Sequence, residues 1–393
     1  MNRRQLLKGL LATSAAASVL RSKDVFAQES PAKPAAVEGG MLHLHPVKGD
    51  DSNAGTKERP LKTLAAAAKR VNESTGTDAL TIVLAEGIYA VGETAVFKPT
   101  QRTFTKERRL TVRADVLPDD PEWDAGRMPT LIHTMPLSSE WNGRPDQFGG
   151  VAYGMQVETA HVTIQGLKIL GMPVVEHPKS GAIHRVYPIG RNDRRLDDLE
   201  IKQCLFAGEE VTNPHHLSIL ANGTGIVVDH CIFHNVKQPV VFWTGGSTGH
   251  AMRHCLIYSC YGCGIWTSGI ANDFEFRNNI VANGNYVWIS QGARSASREA
   301  GQGGGSDGAT TRQPVRYKVT DSLFTGNKKF TGSGGGPALN FKDIDPGFLE
   351  LVNTKRSDNP LELELDQTKR NYLHAKEASE AARIGAGLFT HKG

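Results

Sequence analysis

The chain has 393 residues, with 45 Lys and Arg against 41 Asp and Glu, 42 Gly and only 7% aromatic residues. So small a charge excess gives no general pull toward nucleic acid, whose binding rests on many phosphate-neutralising Lys and Arg. Past the N-terminus no segment approaches the ~20 apolar residues that span a bilayer, so no membrane partner is expected.

Residues 1–27 read as an export signal. Arg3, Arg4 and Lys8 precede an uncharged run from residue 9 to 20, and Val25, Phe26 and Ala27 form a small-residue cleavage site before Gln28. The order Arg3, Arg4, Gln5, Leu6, Leu7, Lys8 resembles a twin-arginine signal, which carries proteins across the membrane already folded, although Asn2 stands where that signal has Ser or Thr. The expectation is a periplasmic or secreted protein. Taking away this segment's five basic residues and one acidic residue leaves 40 of each sign, so the mature chain is neutral. Residues 28–40 read as a linker.

The body, residues 41–350, repeats. A turn rich in Asp, Ser and Gly at residues 49–56 leads to Pro60, which would start a short helix over residues 61–71. Residues 199–206, 227–233, 252–257, 274–281 and 317–324, with 162–169 as a weaker member, each read as a short strand, a two-residue corner and a second short strand. The corner residues Cys204, Cys231, Cys255 and Asn279 recur at steps of 27, 24 and 24, and the step of 43 to Ser322 accommodates a Gly-, Ser- and Ala-rich inserted loop at residues 291–313. A further strand recurs in phase at residues 240–245, 264–268 and 286–290. About 24 residues with three strands and three turns is one coil of a parallel β-helix, in which equivalent residues stack at ~4.8 Å. The fold class is therefore all-β: a single-stranded right-handed parallel β-helix with an N-terminal capping helix. Residues 351–393 read as a tail packed on the solenoid, strand-like at 361–365 and helix-like at 372–383.

The turn at residues 49–56 with Pro60, the 343–349 segment and the 382–387 segment resemble the opening and closing of pectate-lyase-like β-helix proteins of bacterial carbohydrate metabolism. That resemblance implies the architecture and a carbohydrate partner. It does not single out one activity, since the superfamily holds lyases, hydrolases, epimerases and non-enzymatic proteins.

Strict alternation would place Phe242, Ile265 and Val287 inside, and so Trp243, Trp266 and Trp288 outside in one exposed stack suited to sugar rings. Loops beside that strand carry the polar residues. A β-eliminating lyase neutralises a uronate carboxylate and places a base beside the acidified C–H. Arg191 and Arg194 are the candidate carboxylate clamps, with Lys237, His215 or His216 as base, Tyr261 as proton donor and His250 as a substrate contact. Glu209, Glu210, Asn213, Asp193, Arg195 and Asp273 lie in the same loops. Hydrolysis is the alternative, with Glu210 and Asp273 as the opposed carboxylates it requires; a non-catalytic carbohydrate-binding or structural protein is the third reading. No cofactor and no metal are expected: His230 above His254 has compatible spacing, but Gln203, Asn278 and Asp321 in the same column point to a polar corner stack. Cys204, Cys231 and Cys255 read as a buried ladder of small side chains, while Cys260 and Cys263 are left open between a disulfide and half a metal site. A monomer acting on a polysaccharide is the overall expectation.

Overall fold

The computed structural model describes residues 40–141, 144–145, 150–172, 185–208, 215–291, 315–335 and 340–390. The segment expected as signal, nearly all of the linker and of the inserted loop, and Glu209, Glu210 and Asn213 lie outside them.

Among the described residues three sheets of ten, nine and nine strands run the length of a right-handed parallel β-helix. Sheet 1 starts with Met41–Leu44 and ends with Leu349–Val352; sheet 2 starts with Ile88–Val91 and ends with Lys355–Ser357. Sheet 3 runs from Ala95–Phe97 through Val151–Val157, Arg185–Arg191, His215–Ala221, Gln238–Phe242, Cys263–Thr267 and Tyr286–Ser290 to Lys329–Gly335, where Asn340–Asp343 adds an antiparallel edge. The last complete coil thus reaches Ser357, beyond the boundary at 350 expected from sequence. No helix among the described residues is long and apolar enough to cross a membrane.

Each sheet is apolar inward because successive coils place like residues in register. In sheet 1, Val112, Ile164, Ile201, Val228, Met252, Phe276 and Val319 form one continuous interior column. In sheet 2, Phe206 stacks on Phe233 with ring centroids 4.8 Å apart and planes 7° from parallel.

The corner between sheets 1 and 2 is where the repeat was most legible. Its first residue is left-handed, with φ between 49° and 55° at Gln203, His230, His254, Asn278, Asp321 and Asn353. That conformation costs ~1–2 kcal/mol for most L-residues and least for Asn and Asp, whose side chains bond locally. The second corner residue points inward: Cys204, Cys231, Cys255, Asn279 and Ser322 are buried in file. Asn279 ties this file together, accepting from the Cys255 amide at 2.8 Å and donating to the Met252 carbonyl at 2.8 Å, while Ser322 Oγ accepts from the Asn279 amide at 3.1 Å.

One end is closed by helix α1, Leu64–Glu73, which buries Leu64, Ala67, Ala68 and Val71 against the first coil. It begins three residues later than Pro60 suggests. Leu61 bridges to Leu44 instead, and the start is fixed by Thr63, whose hydroxyl accepts from the Ala66 amide, and by Asp51, whose carboxylate accepts from the Lys62 and Thr63 amides.

After Ser357 the chain turns back over the outside of sheet 2. Leu361, Leu363, Leu373, Ala381 and Leu388 pack on Leu205, Ile232, Leu256, Ile280 and Leu323, and on Trp123. Its secondary structure is slight: a single bridge, Leu363 to Ala375, and a 3-10 turn at Glu380–Ile384 replace the expected strand and helix. The segment reaches early coils, where Gln203 Nε2 donates to the Leu388 carbonyl at 2.9 Å, Arg370 to the Pro118 carbonyl at 2.8 Å, and the Thr390 hydroxyl to Asp119 at 2.6 Å.

Replacing Asn279 by Ala strands the buried Cys255 amide and Met252 carbonyl, so Asn279→Ala is expected to lower stability by about 2–4 kcal/mol in urea unfolding. Cys255→Ser, which keeps size and a polar hydrogen, is expected to cost less than about half of that.

Candidate functional site

The outer face of sheet 3 carries two adjoining columns. One holds Tyr153, Tyr187, Leu217, Gln238, Cys263, Tyr286 and Lys329; the other holds Gly190, Leu220, Val241, Trp266, Ile289 and Gly332. Most of these outward apolar groups are buried and form a cluster separate from the interior, with Phe341 of the antiparallel edge packed edge-on against Trp266 and Tyr286. Tyr286 donates to Asp343 at 2.6 Å, and Lys329 pairs with the other oxygen of that carboxylate at 2.8 Å.

The expected stack of three outward indoles does not form. Register pairs Val241 with Trp266 and Trp266 with Ile289, while Trp288 pairs with Ile265. Strand Tyr286–Ser290 turns two successive residues inward, Val287 and Trp288, so strict alternation fails there. Trp288 is fully buried in the interior, stacked on Tyr317 at 5.6 Å, with its N–H donated to Thr267 at 3.0 Å. Trp266 is outward but covered, 3% exposed, with no partner for its indole N–H. Only Trp243 offers an open face, at 41% exposure, 6.2 Å from Trp266 between ring centroids.

Two expected polar contacts also take other roles. Arg191 is wholly buried, and its guanidinium donates to the carbonyls of Asn222 at 2.7 Å, Asp197 at 3.0 Å and Thr224 at 3.0 Å, so it fastens two turns and has no arm free for a substrate carboxylate. His250 accepts from the Ile226 amide through Nδ1 at 3.2 Å, which leaves its proton on Nε2 to meet Ser247 Oγ at 2.7 Å. Burial and the nearby Arg191 push its pKa down to about 4, so it is a neutral structural imidazole. Arg194 is exposed on the turn following strand Arg185–Arg191, beside the pair of exposed Arg195 with half-buried Asp193 at 2.7 Å. Asp273 accepts from the Gly249 amide at 2.8 Å.

The remaining candidates converge at the head of sheet 3. The Lys237 amide donates to the His216 carbonyl at 3.0 Å, and its carbonyl accepts from the Gly262 and Cys263 amides at 3.0 and 3.2 Å. Tyr261 lies on the next coil, its amide donating to the Val236 carbonyl at 3.2 Å. His215 opens the strand beside His216; its side chain lies outside the described residues. Lys237 is 1% exposed, and that burial pushes its pKa down to about 7, partly opposed by Cys263. His216 is equally buried, with its ring where a Cβ on Gly171 or Gly208 would stand 2.8 or 2.7 Å away, so both positions must lack one. Burial, with His133 nearby, lowers its pKa to about 3.

Sequence reasoning passed over Arg185, His133, Ser218 and Gln238, all buried here. Neither amide atom of Gln238 makes a well-formed hydrogen bond, although the Cys263 thiol lies against it, and Ser218 Oγ, His133 Nδ1 and His216 Nε2 lack partners. Buried polar groups without partners are rare and mark sites where another polar molecule belongs. The available signal was a polar residue where each strand's apolar run should begin, as Lys237 and Gln238 stand before the run from Pro239 to Phe242.

All five cysteines are free and buried. Cys260 joins the interior cluster and Cys263 the outer one, and the two thiols of the C-x-x-C are not joined by a disulfide.

The three parallel sheets define a class: a right-handed parallel β-helix. Residues 155–340 match the family described as "Right handed beta helix region". Among solved structures the chain is similar to a rhamnogalacturonan lyase (14% identity, covering 73% of this chain and 68% of that one, TM-score 0.44). It is also similar to the GH136 lacto-N-biosidase from Eubacterium ramulus (13%, 82% and 56%, TM-score 0.47), of which it spans little more than half. A third is the pectin methylesterase from Aspergillus niger (12%, 88% and 94%, TM-score 0.40). These likenesses are of fold alone. A search of curated proteins finds no match.

Four buried histidines, His133, His216, His250 and His374, have pKa values lowered to about 3–4. Each stays neutral when folded but binds a proton near pH 6.5 when unfolded, so unfolding takes up protons as pH falls. Stability is expected to drop between pH 6.5 and about 4, by about 1.4 kcal/mol per pH unit for each histidine involved. Lys237 acts in a higher window: folded near 7 and unfolded near 10.4, it makes stability rise with pH between those values. Urea midpoints across pH 4–9.5 check both windows, and Lys237→Met is expected to remove the upper slope only.

Proposed function

We propose that this protein is exported, binds an extended polysaccharide along the outer face of sheet 3, and cleaves a uronate-containing chain by β-elimination. The observation that carries this reading is the juxtaposition at the head of that face: a buried lysine with a pKa near 7 beside buried neutral histidines and unpaired polar atoms, leading to an aromatic floor whose open end is Trp243. The fold-level likenesses include carbohydrate-active enzymes by name, but of differing chemistry, so the choice among them rests on the site.

Elimination removes the proton on the carbon next to the uronate carboxylate and expels the oxygen on the following carbon. An ordinary lysine is protonated at neutral pH and cannot take that proton. Burial brings the Lys237 pKa down to about 7, which makes a free amine available near neutral pH, as a general base requires. The carboxylate must be neutralised as charge builds up. Arg191 is occupied and Arg194 stands past the far end of the strand from Lys237, so neither arginine expected as a clamp reaches the uronate that Lys237 would attack. Tyr261 is placed by its backbone on the rung beside Val236 and Lys237, where a phenol serves as proton donor to the leaving oxygen. Trp243 supplies a flat apolar face for a sugar ring. Five buried free thiols suit the folded-state export that the twin-arginine-like segment suggests, because the chain would fold before meeting an oxidising compartment.

The test is the mature protein with alginate, pectate and glycosaminoglycans, followed at about 235 nm for unsaturated products. Turnover of at least one is expected, reduced by about 100-fold or more in Lys237→Met, while Trp243→Ala weakens binding by about 1 kcal/mol. No absorbance on any uronate, with new reducing ends on neutral glycans, overturns elimination in favour of hydrolysis. Binding without turnover, unchanged in Lys237→Met, overturns catalysis altogether.

A further inference from the structure

A second cluster lies on the opposite flank of the coil, at the corner between sheets 1 and 2. His230 and His254 stack with ring centroids 4.3 Å apart and planes 20° from parallel. Both turn Nδ1 toward one oxygen of Asp229, at 2.8 Å from His230 and 3.2 Å from His254, and the three donor atoms lie within 4.8 Å of one another. Ligands of a tetrahedral ion with bonds of about 2.0–2.1 Å stand about 3.3 Å apart, so small ring rotations bring this set to that geometry.

We propose that Asp229, His230 and His254 form a binding site for a zinc-class divalent transition ion. Two imidazoles and one carboxylate are the donor types that such an ion prefers, whereas calcium and magnesium select oxygen. The fourth position falls to water, since the side chains of His230, Asp229 and His254 are 11%, 25% and 23% exposed. Each imidazole would bind the ion through the Nδ1 atom that now faces Asp229.

Three features of the surroundings support an ion here. Left-handed corners favour Asn, as at Asn278 and Asn353, yet two consecutive coils carry His at φ 49°. The cations flanking Asp229 in the ladder, Lys202 and Arg253, are each drawn to a glutamate, Glu200 at 3.5 Å and Glu275 at 2.6 Å, so neither neutralises Asp229. The C-terminal segment passes over the same column, with the Gly387 amide donating to the His254 carbonyl at 2.9 Å and Gln203 donating to the Leu388 carbonyl at 2.9 Å. An ion at this corner therefore stiffens the place where that segment is fastened. Gln203, Asn278 and Asp321 in the same column point, in sequence, to a polar corner stack, and the shared carboxylate of Asp229 emerges only in the fold.

Equilibrium dialysis of tag-free mature protein against Zn²⁺, with metal measured by elemental analysis, tests the site. One ion per chain is expected, with the thermal midpoint raised by Zn²⁺. His254→Asn and Asp229→Asn are each expected to weaken binding at least 10-fold and to abolish the thermal shift. His254→Asn places in the corner the residue that the next coil already uses, so it should fold, as far-UV circular dichroism will verify. His161→Asn, which breaks a corner His–Asp contact lacking a second imidazole, is expected to leave Zn²⁺ binding unchanged. Absence of stoichiometric Zn²⁺ in the unaltered protein, or equal binding by His254→Asn and Asp229→Asn, overturns the proposal.

Discussion

Everything in this molecule depends on the parallel backbone ladder that locks each coil to the next. The ladder satisfies main-chain donors and acceptors between coils, and as a consequence it forces every side chain to lie on its counterpart one rung away. A residue is acceptable only if it stacks on what precedes it. Apolar columns, the Cys–Asn–Ser file, the phenylalanine stack and the two adjacent histidines are all expressions of that one constraint.

The same constraint explains how much could be read from the chain. The corner between sheets 1 and 2 was legible because two narrow requirements meet there in adjacent residues. One position must tolerate positive φ and the next must be small and buried, so Gln203–Cys204, His230–Cys231, His254–Cys255 and Asn278–Asn279 stand out even without similar flanks. Sheet 3 was less legible. Trp243, Trp266 and Trp288 look equivalent if inward and outward residues alternate, but Trp243 stands two residues past the register mate of Trp266, and Val287 and Trp288 both turn inward, so the three go to an open edge, a covered outer face and the core. The helix start was misplaced for a related reason: Leu61 is worth more in the first coil's pairing than in a helix, and Thr63 with Asp51 supplies the better cap.

Polar residues divide according to whether the coil consumes their hydrogen-bonding capacity. Arg191 engages each of its three nitrogens with a turn carbonyl and His250 both of its ring nitrogens with an amide and a hydroxyl, and so they serve the scaffold. Ser218 and His216 retain unpaired atoms although buried, a cost of about 1–3 kcal/mol each that the fold alone does not return. That contrast, invisible in sequence, separates framework from candidate site more sharply than residue type does.

The C-terminal segment changes what kind of object the solenoid is. A stack in which each coil touches only its neighbours behaves as a one-dimensional array, free to fray from either end and melt in stages. Here residues after 357 run back across sheet 2 and join Asp119 to Thr390 and Pro118 to Arg370, so the final residues of the chain are clasped to coils near its beginning. Loosening the last coil then strains contacts far upstream, and the array gains the all-or-none cooperativity of a compact domain.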